Sequence, residues 1–119
     1  MKNKVLLVDD EPEFVNTLAQ RLRLRDYEVK TAMSGEECLE IYSQYNCDIV
    51  ILDLMMPGMN GLDVLAGLKT ENKDIPVILL TGHGSTKEGM EGMKQGAADY
   101  LMKPLDIEEL TKKMDEILN

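Results

Sequence analysis

The sequence has no tryptophan and few aromatic residues, namely four tyrosines and one phenylalanine. Positive charge is also in short supply, because 22 acidic residues outnumber 13 basic ones and leave a formal net charge of -9. An acidic chain repels a phosphate backbone, and without aromatic side chains it has little on which to stack bases. We therefore expect no direct binding of nucleic acid by this chain.

Long apolar runs are missing as well. The nearly continuous apolar stretches, such as residues 5–8 and 75–80, are only a few residues long. A membrane-spanning helix needs about 20 apolar residues, and the apolar region of a secretory signal peptide needs about 7 to 15. We therefore expect no membrane segment and no leader in this chain, and we predict a cytoplasmic protein.

Cysteine and histidine, which build many redox and metal sites, are scarce. Cys38 and Cys47 form no CxxC pair and have no histidine close by in the sequence, so buried, reduced thiols are favoured over a redox pair or a metal site. The sole histidine, His83, has no nucleophile beside it and is predicted to lie in a surface loop. The nine methionines are predicted to fill the core and to pack loops rather than to bind a ligand.

The chain has 119 residues, 44% of them hydrophobic, which suits one domain with one apolar core. We predict a single domain over residues 1–119. Short apolar runs alternate with segments whose apolar residues are spaced as on a helix. Continuous apolar runs of this length are typical of parallel strands that are buried on both faces. The predicted strands lie at residues 5–8, 28–32, 48–54, 76–80 and 100–102.

The alternation of five strands with five helices predicts a doubly wound α/β fold, a three-layer sandwich with helices on both faces of a parallel sheet. Three helix starts are indicated at residues 34–37, 85–88 and 106–109, where a capping side chain stands three residues before a glutamate. The fourth helical segment carries Gly89 and Gly92. We expect this helix to be the least stable of the five; the alternative is that its glycines allow close packing.

Ionic and hydroxyl-bearing residues stand at the ends of the predicted strands. They are Asp9, Asp10, Asp53, Thr81 and Lys103. If the first and third strands are neighbours, the three carboxylates share one pocket and repel one another unless a cation lies among them. Oxygen ligands without cysteine or histidine favour Mg²⁺, with Mn²⁺ as the alternative. A lysine and a hydroxyl nearby suit a phosphoryl group, and an aspartate can itself form an aspartyl phosphate.

Four segments at these strand ends resemble the receiver domain of two-component response regulators. They are residues 5–10, 51–58, 80–82 and 99–104. The resemblance covers essentially the whole chain. It implies a flavodoxin-like (βα)5 fold whose parallel sheet has the strand order 2-1-3-4-5.

The same resemblance implies a role for individual residues. Asp53 is expected to be the phosphoacceptor, Asp10 a direct Mg²⁺ ligand, and Asp9 an acidic partner that acts mainly through water. The backbone carbonyl of Met55 is expected to supply another ligand. A switch hydroxyl, a lysine that contacts the acyl phosphate and a switch aromatic are expected at Thr81, Lys103 and Tyr100.

A receiver domain is expected to be a phosphorylation-driven switch rather than a turnover enzyme, with only self-phosphorylation and self-dephosphorylation chemistry. It would take its phosphoryl group from a sensor histidine kinase or a histidine phosphotransfer protein. Changes around Thr81, Tyr100 and the fourth helix would then control a downstream output. The face formed by the fourth helix, fifth strand and fifth helix would meet a partner or a second copy of the chain.

Two rival functions fit the pattern less well. An aspartyl-nucleophile phosphatase or phosphotransferase needs a second acid two residues after the nucleophile, and Met55 at that position cannot donate a proton. A flavodoxin-like nucleotide-binding module is the other rival. Residues 82–87 begin like a glycine-rich phosphate loop, but Lys87 stands where the last glycine is needed. Clustered carboxylates would also repel the phosphate of a bound nucleotide.

Overall fold

The computed structural model describes residues 2–58, 60–82 and 86–119. Within them, five strands alternate with five helices. The strands are β1 (Lys4–Val8), β2 (Glu28–Ala32), β3 (Ile49–Asp53), β4 (Val77–Thr81) and β5 (Asp99–Met102). The helices are α1 (Pro12–Leu24), α2 (Gly35–Gln44), α3 (Gly61–Glu71), α4 (Thr86–Lys94) and α5 (Ile107–Leu118). The apolar runs of the sequence therefore locate each strand to within one residue at either end.

The strands form one sheet in the order β2-β1-β3-β4-β5, and every pair is parallel. This confirms the doubly wound fold and the strand order that the resemblance implies. All residues of β3 and β4 are buried, as expected for strands covered on both faces. The edge strand β2 alternates instead, with Glu28 and Lys30 exposed to solvent.

Helices cover the sheet on both sides and produce two apolar clusters. On one side, α2 and α3 contribute Cys38, Val64, Leu65 and Leu68. On the other side, α1 and α5 contribute Val15, Leu18, Ala19, Leu22, Leu110 and Met114. Both clusters consist of buried apolar side chains packed on the sheet, and the polar groups lie in the loops at its edges.

The start of two helices follows the capping motifs in the sequence. Ser34 Oγ accepts a hydrogen bond of 3.1 Å from the Glu37 N–H, and Asp106 Oδ1 accepts one of 2.9 Å from the Glu108 N–H. The third motif begins at Ser85, which lies outside the described residues, as does His83. Helix α3 begins with a further cap, which the capping motifs do not predict: Asn60 Oδ1 accepts a hydrogen bond of 2.8 Å from the Leu62 N–H.

Both cysteines are buried and free. Burial raises the pKa of Cys38 to about 12 and that of Cys47 to about 11, so both stay protonated near neutral pH. The prediction for the methionines is wrong in part. Met56 and Met114 are buried, but five others are between 37% and 57% exposed: Met33, Met55, Met90, Met93 and Met102. None of the described helices combines the length and the apolar character needed to cross a bilayer.

Candidate functional site

The carboxyl ends of the parallel strands meet at one edge of the sheet, and the candidate residues lie there. Val8 at the end of β1 pairs with Leu52 of β3, so Asp9, the next residue, stands beside Asp53. At the same edge of the sheet, Thr81 at the end of β4 pairs with Met102 at the end of β5. Lys103, the next residue, therefore also lies at this edge. The strand register thus assembles groups that are far apart in the chain.

Local hydrogen bonds fix the orientation of two of the carboxylates. Asp9 Oδ1 accepts a hydrogen bond of 3.1 Å from the Glu11 N–H, and the Asp9 N–H donates to the Ala32 carbonyl at 3.1 Å. Asp53 Oδ1 accepts one of 3.0 Å from the Met55 N–H. Asp9 is fully buried and Asp53 is 2% exposed. These carboxylates are therefore held in place and mostly withdrawn from water.

Asp9, Asp10 and Asp53 form a compact acidic cluster. Each offers one carboxylate oxygen, and these oxygens all lie within 4.8 Å of one another. The pKa of Asp9 is raised, mainly by burial and further by the charge of Asp53, although Lys103 and the Glu11 N–H oppose the shift. Negative charges at this separation repel strongly, so the cluster is an environment that favours a bound cation.

Lys103 supplies positive charge inside this cluster. Its Nζ lies 2.7 Å from Asp9 Oδ2, 2.7 Å from Glu11 Oε1 and 3.4 Å from Asp53 Oδ2. Burial alone would lower the pKa of Lys103, but the hydrogen bonds to Asp9 and Glu11 and the charge of Asp53 raise it above its ordinary value. The ammonium group is therefore charged at every physiological pH.

The donor set suits a magnesium ion. Asp9 Oδ2 is buried, and among the described residues Lys103 Nζ, 2.7 Å away, is its only positively charged or hydrogen-bonding partner. A buried carboxylate oxygen in this state has lone pairs left for a cation. The three carboxylates offer only oxygen, the ligand atom that Mg²⁺ prefers. The part expected of the Met55 carbonyl stays a prediction.

Thr81 at the end of β4 and Tyr100 on β5 lie on the two strands that follow β3 across the sheet. Thr81 is fully buried, and its Oγ1 donates a long hydrogen bond of 3.5 Å to the Leu101 carbonyl. The half-buried ring of Tyr100 lies against Gly89 of α4. A Cβ added at Gly89 would stand 2.8 Å from the ring carbon Cδ2. Only glycine at position 89 therefore accommodates the ring where it lies.

Gly92, the second glycine of α4, also allows a side chain to lie directly against the helix backbone. A Cβ added at Gly92 would stand 2.1 Å from Leu79 Cδ1, so the backbone of α4 lies directly on the side chains of β4. The alternative that the glycines allow close packing is therefore what the structure shows. The expectation that α4 is the least stable helix stays a prediction.

The sequence does not predict two of the contacts that Lys103 makes. Glu11 provides one of its two shortest ion pairs, and the Phe14 ring lies under Nζ, 4.3 Å from the ring centroid. The only signal in the sequence is that Glu11 is a third acid after the first strand. Nothing in the sequence links it to a lysine 92 positions away.

Comparison with known proteins identifies the domain type. The family model for the response regulator receiver domain matches residues 5–115. TcrX of Mycobacterium tuberculosis, described as a probable transcriptional regulatory protein, is 37% identical over 114 residues, which make up 96% of this chain and 49% of that protein. The two-component response regulator PhoP of Pseudomonas aeruginosa is 36% identical over 115 residues, or 97% of this chain and 51% of that protein. This chain spans about half the length of the curated relatives it matches.

Solved structures agree with this assignment. A response regulator receiver domain protein from Clostridium thermocellum superimposes with a TM-score of 0.94 at 34% identity, covering 98% of this chain and 94% of that one. A CheY-like receiver domain protein from Methanospirillum hungatei also gives a TM-score of 0.94, at 26% identity, with 99% and 94% coverage. Neither the phosphatase nor the nucleotide-binding alternative is favoured by these matches.

Proposed function

Because the chain belongs to the response regulator receiver domain family, we propose that Asp53 is its phosphoacceptor and that residues 1–119 act as one phosphorylation-driven switch. Receiver domains of response regulators interact with histidine kinases and generally bind Mg²⁺. The observation that carries the proposal is the convergence of three carboxylates and one lysine at a single edge of the sheet.

The donor in this proposal is a phosphohistidine on a sensor kinase or on a histidine phosphotransfer protein. An oxygen of the Asp53 carboxylate forms the new bond to phosphorus as the bond between phosphorus and the donor imidazole nitrogen breaks. The electron pair of the broken bond stays on that nitrogen. The hydrogen bond from the Met55 N–H to Asp53 Oδ1 orients the carboxylate for this attack.

Lys103 offsets the negative charge that accumulates on the phosphoryl oxygens. Its ammonium group already lies 3.4 Å from Asp53 Oδ2, and because the Asp53 side chain is buried, the charge interaction between them is stronger than at the surface. Asp9, Asp10, Asp53 and the Met55 carbonyl would hold Mg²⁺. When bound there, the ion supplies additional positive charge next to the transferring group.

Thr81 and Tyr100 would transmit the effect of Asp53 phosphorylation to α4. The hydrogen bond from Thr81 Oγ1 to the Leu101 carbonyl is long, so exchanging it for a bond to a phosphoryl oxygen costs little. The space that Thr81 leaves admits an inward rotation of the Tyr100 ring. Since that ring lies against Gly89, its rotation removes a contact of α4 and lets the helix shift.

The face formed by α4, β5 and α5 would meet a downstream partner or a second copy of the chain. The acidic surface argues against direct contact with nucleic acid by this domain. We place the switch in the cytoplasm, and its own chemistry would be limited to self-phosphorylation and self-dephosphorylation.

Replacing Asp53 by Asn tests the proposed acceptor. Incubation with Mg²⁺ and radiolabelled acetyl phosphate should give the wild type a hydroxylamine-sensitive acyl phosphate, whereas Asp53→Asn should take up no label. The matched control is Asp63→Asn, which removes an exposed carboxylate from the first turn of α3 and should label normally. Chelation of Mg²⁺ should abolish labelling of the wild type. Label that persists in Asp53→Asn would place the acceptor elsewhere.

A further inference from the structure

The ammonium group of Lys103 is held from the α1 side as well as from the strand ends. Glu11 Oε1 is 2.7 Å from Nζ, closer than the proposed acceptor oxygen at 3.4 Å. The Phe14 ring covers another side of the ammonium group, with its centroid 4.3 Å from Nζ. Glu11 and Phe14 are three residues apart at the start of α1, a spacing that places side chains on the same helix face.

Within the described residues, the Glu11 side chain makes no hydrogen bond or ion pair other than the one with Lys103. It occupies the N-cap position of α1, where a side chain commonly accepts a hydrogen bond from the helix backbone, but Glu11 makes no such bond. Its backbone groups are engaged instead, since its N–H donates to Asp9 Oδ1 and its carbonyl accepts from the Val15 N–H. The carboxylate is thereby left to reach across to Lys103.

We propose that Glu11 is a positioning residue that restrains Lys103 in the unphosphorylated protein and slows phosphorylation of Asp53. An ammonium group has three N–H donors, and the ion pairs of Lys103 within the described residues are with three carboxylates: Asp9, Glu11 and Asp53. A phosphoryl oxygen can contact the Lys103 ammonium group only when one of these carboxylates moves away from it. This inference rests on the proposed function, because it concerns the same lysine and the same acceptor.

Glu11 is the carboxylate that leaves most easily. Its side chain is 64% exposed, so water solvates it once the contact is broken, whereas the Asp9 and Asp53 side chains are buried. Glu11 also lines a solvent-open groove of about 320 Å³ that Lys103 and Phe14 share. Its negative charge lies 2.7 Å from the ammonium group that a phosphoryl group would approach, and it repels an anionic phosphodonor.

The test compares Glu11→Gln with Glu13→Gln, a matched control that removes an exposed negative charge from the same first turn of α1. The rate of acyl phosphate formation is measured with Mg²⁺ and acetyl phosphate at low and at high salt. Because exposed ion pairs are weak, we expect Glu11→Gln to react roughly two- to fivefold faster than the wild type at low salt. This advantage should shrink at high salt, since screening weakens the same interactions in the wild type.

A second readout follows the contact itself without phosphorylation. The NMR signal of the Lys103 Nζ group should shift in Glu11→Gln and stay unchanged in Glu13→Gln. Equal or slower labelling of Glu11→Gln relative to Glu13→Gln would overturn the inference while leaving Asp53 as the acceptor. A wild-type protein that takes no label at all would overturn the proposed function, and the inference with it.

Discussion

Helices α4 and α5 both contact the edge strand β5, but they are attached to the sheet in opposite ways. Helix α5 buries large side chains, with Leu110 and Met114 fully inaccessible to solvent. Helix α4 instead buries Gly89 and Gly92, while Met90 and Met93 are 56% and 39% exposed. One helix is held by the area that its side chains remove from water, and the other by close approach of its backbone.

The two ways of packing a helix on the sheet contribute different amounts of free energy to stability. Burial of a leucine side chain contributes about 1.5–3 kcal/mol. A helical glycine contributes no side-chain burial and costs about 1 kcal/mol relative to alanine. Helix α4 should therefore be displaced at a lower cost than α5. The contact of Gly89 with the Tyr100 ring places that displaceable helix beside the proposed switch residue.

The largest expected effect comes from shortening the main anchor of α5. Leu110→Ala should lower the free energy of unfolding by about 3 kcal/mol, because it removes a fully buried side chain and leaves a cavity. The comparison variant is Met90→Ala in α4, where a side chain that is 56% exposed is removed and a change within about 0.5 kcal/mol is expected. Urea denaturation measures both. Similar losses for the two variants would mean that the helices are anchored alike.

A smaller change in the free energy of unfolding is expected for Gly92→Ala in α4, and its sign is opposite to the usual effect of alanine in a helix. Alanine normally stabilises a helix relative to glycine by about 1 kcal/mol. At position 92, however, the new Cβ would stand 2.1 Å from Leu79 Cδ1, and overpacking a buried side chain costs about 1–3 kcal/mol. We therefore expect Gly92→Ala to destabilise the protein by about 1 kcal/mol.

The control for Gly92→Ala places a glycine at an exposed position of α5. Lys112→Gly introduces glycine at an exposed position of α5 and should cost about 1 kcal/mol through helix propensity alone. Denaturation curves for the two variants distinguish packing from propensity. If Gly92→Ala raises stability, the backbone of α4 does not lie on β4 as closely as described.

The sequence predicts the strands well because apolar runs and strand burial have the same physical cause. The fully buried strands β3 and β4 appear as continuous apolar runs, and β2 appears as a weaker alternating run since it lies at the edge. Asp9 is identified for the same reason, because it ends an apolar run, and Asp53 stands one residue before the end of another. The strand order came from the family resemblance.

Contacts that depend on side-chain geometry could not be predicted from the sequence. The pairing of Glu11 with Lys103 joins residues 92 positions apart, and it depends on how α1 leaves the sheet. The role of Gly89 and Gly92 is another example. A glycine in a helical segment signals low helix propensity, but only the packed structure shows that Tyr100 and Leu79 occupy the space of the missing side chains.

In the proposed switch, phosphorylation of Asp53 shifts α4 and leaves α5 in place. Amide hydrogen exchange measures this directly when it is followed in peptides covering residues 86–94 and 107–118. Beryllofluoride with Mg²⁺ serves as the stand-in for the phosphoryl group. Asp53→Asn is the control, because it lacks the carboxylate to which beryllofluoride bonds.

We predict that α4 exchanges faster than α5 in the unmodified protein, since its attachment is weaker. Beryllofluoride should then change the protection of α4, leave that of α5 unaltered, and have no effect on Asp53→Asn. Equal protection of the two helices, unchanged by beryllofluoride in the wild type, would show that phosphorylation of Asp53 does not act through α4.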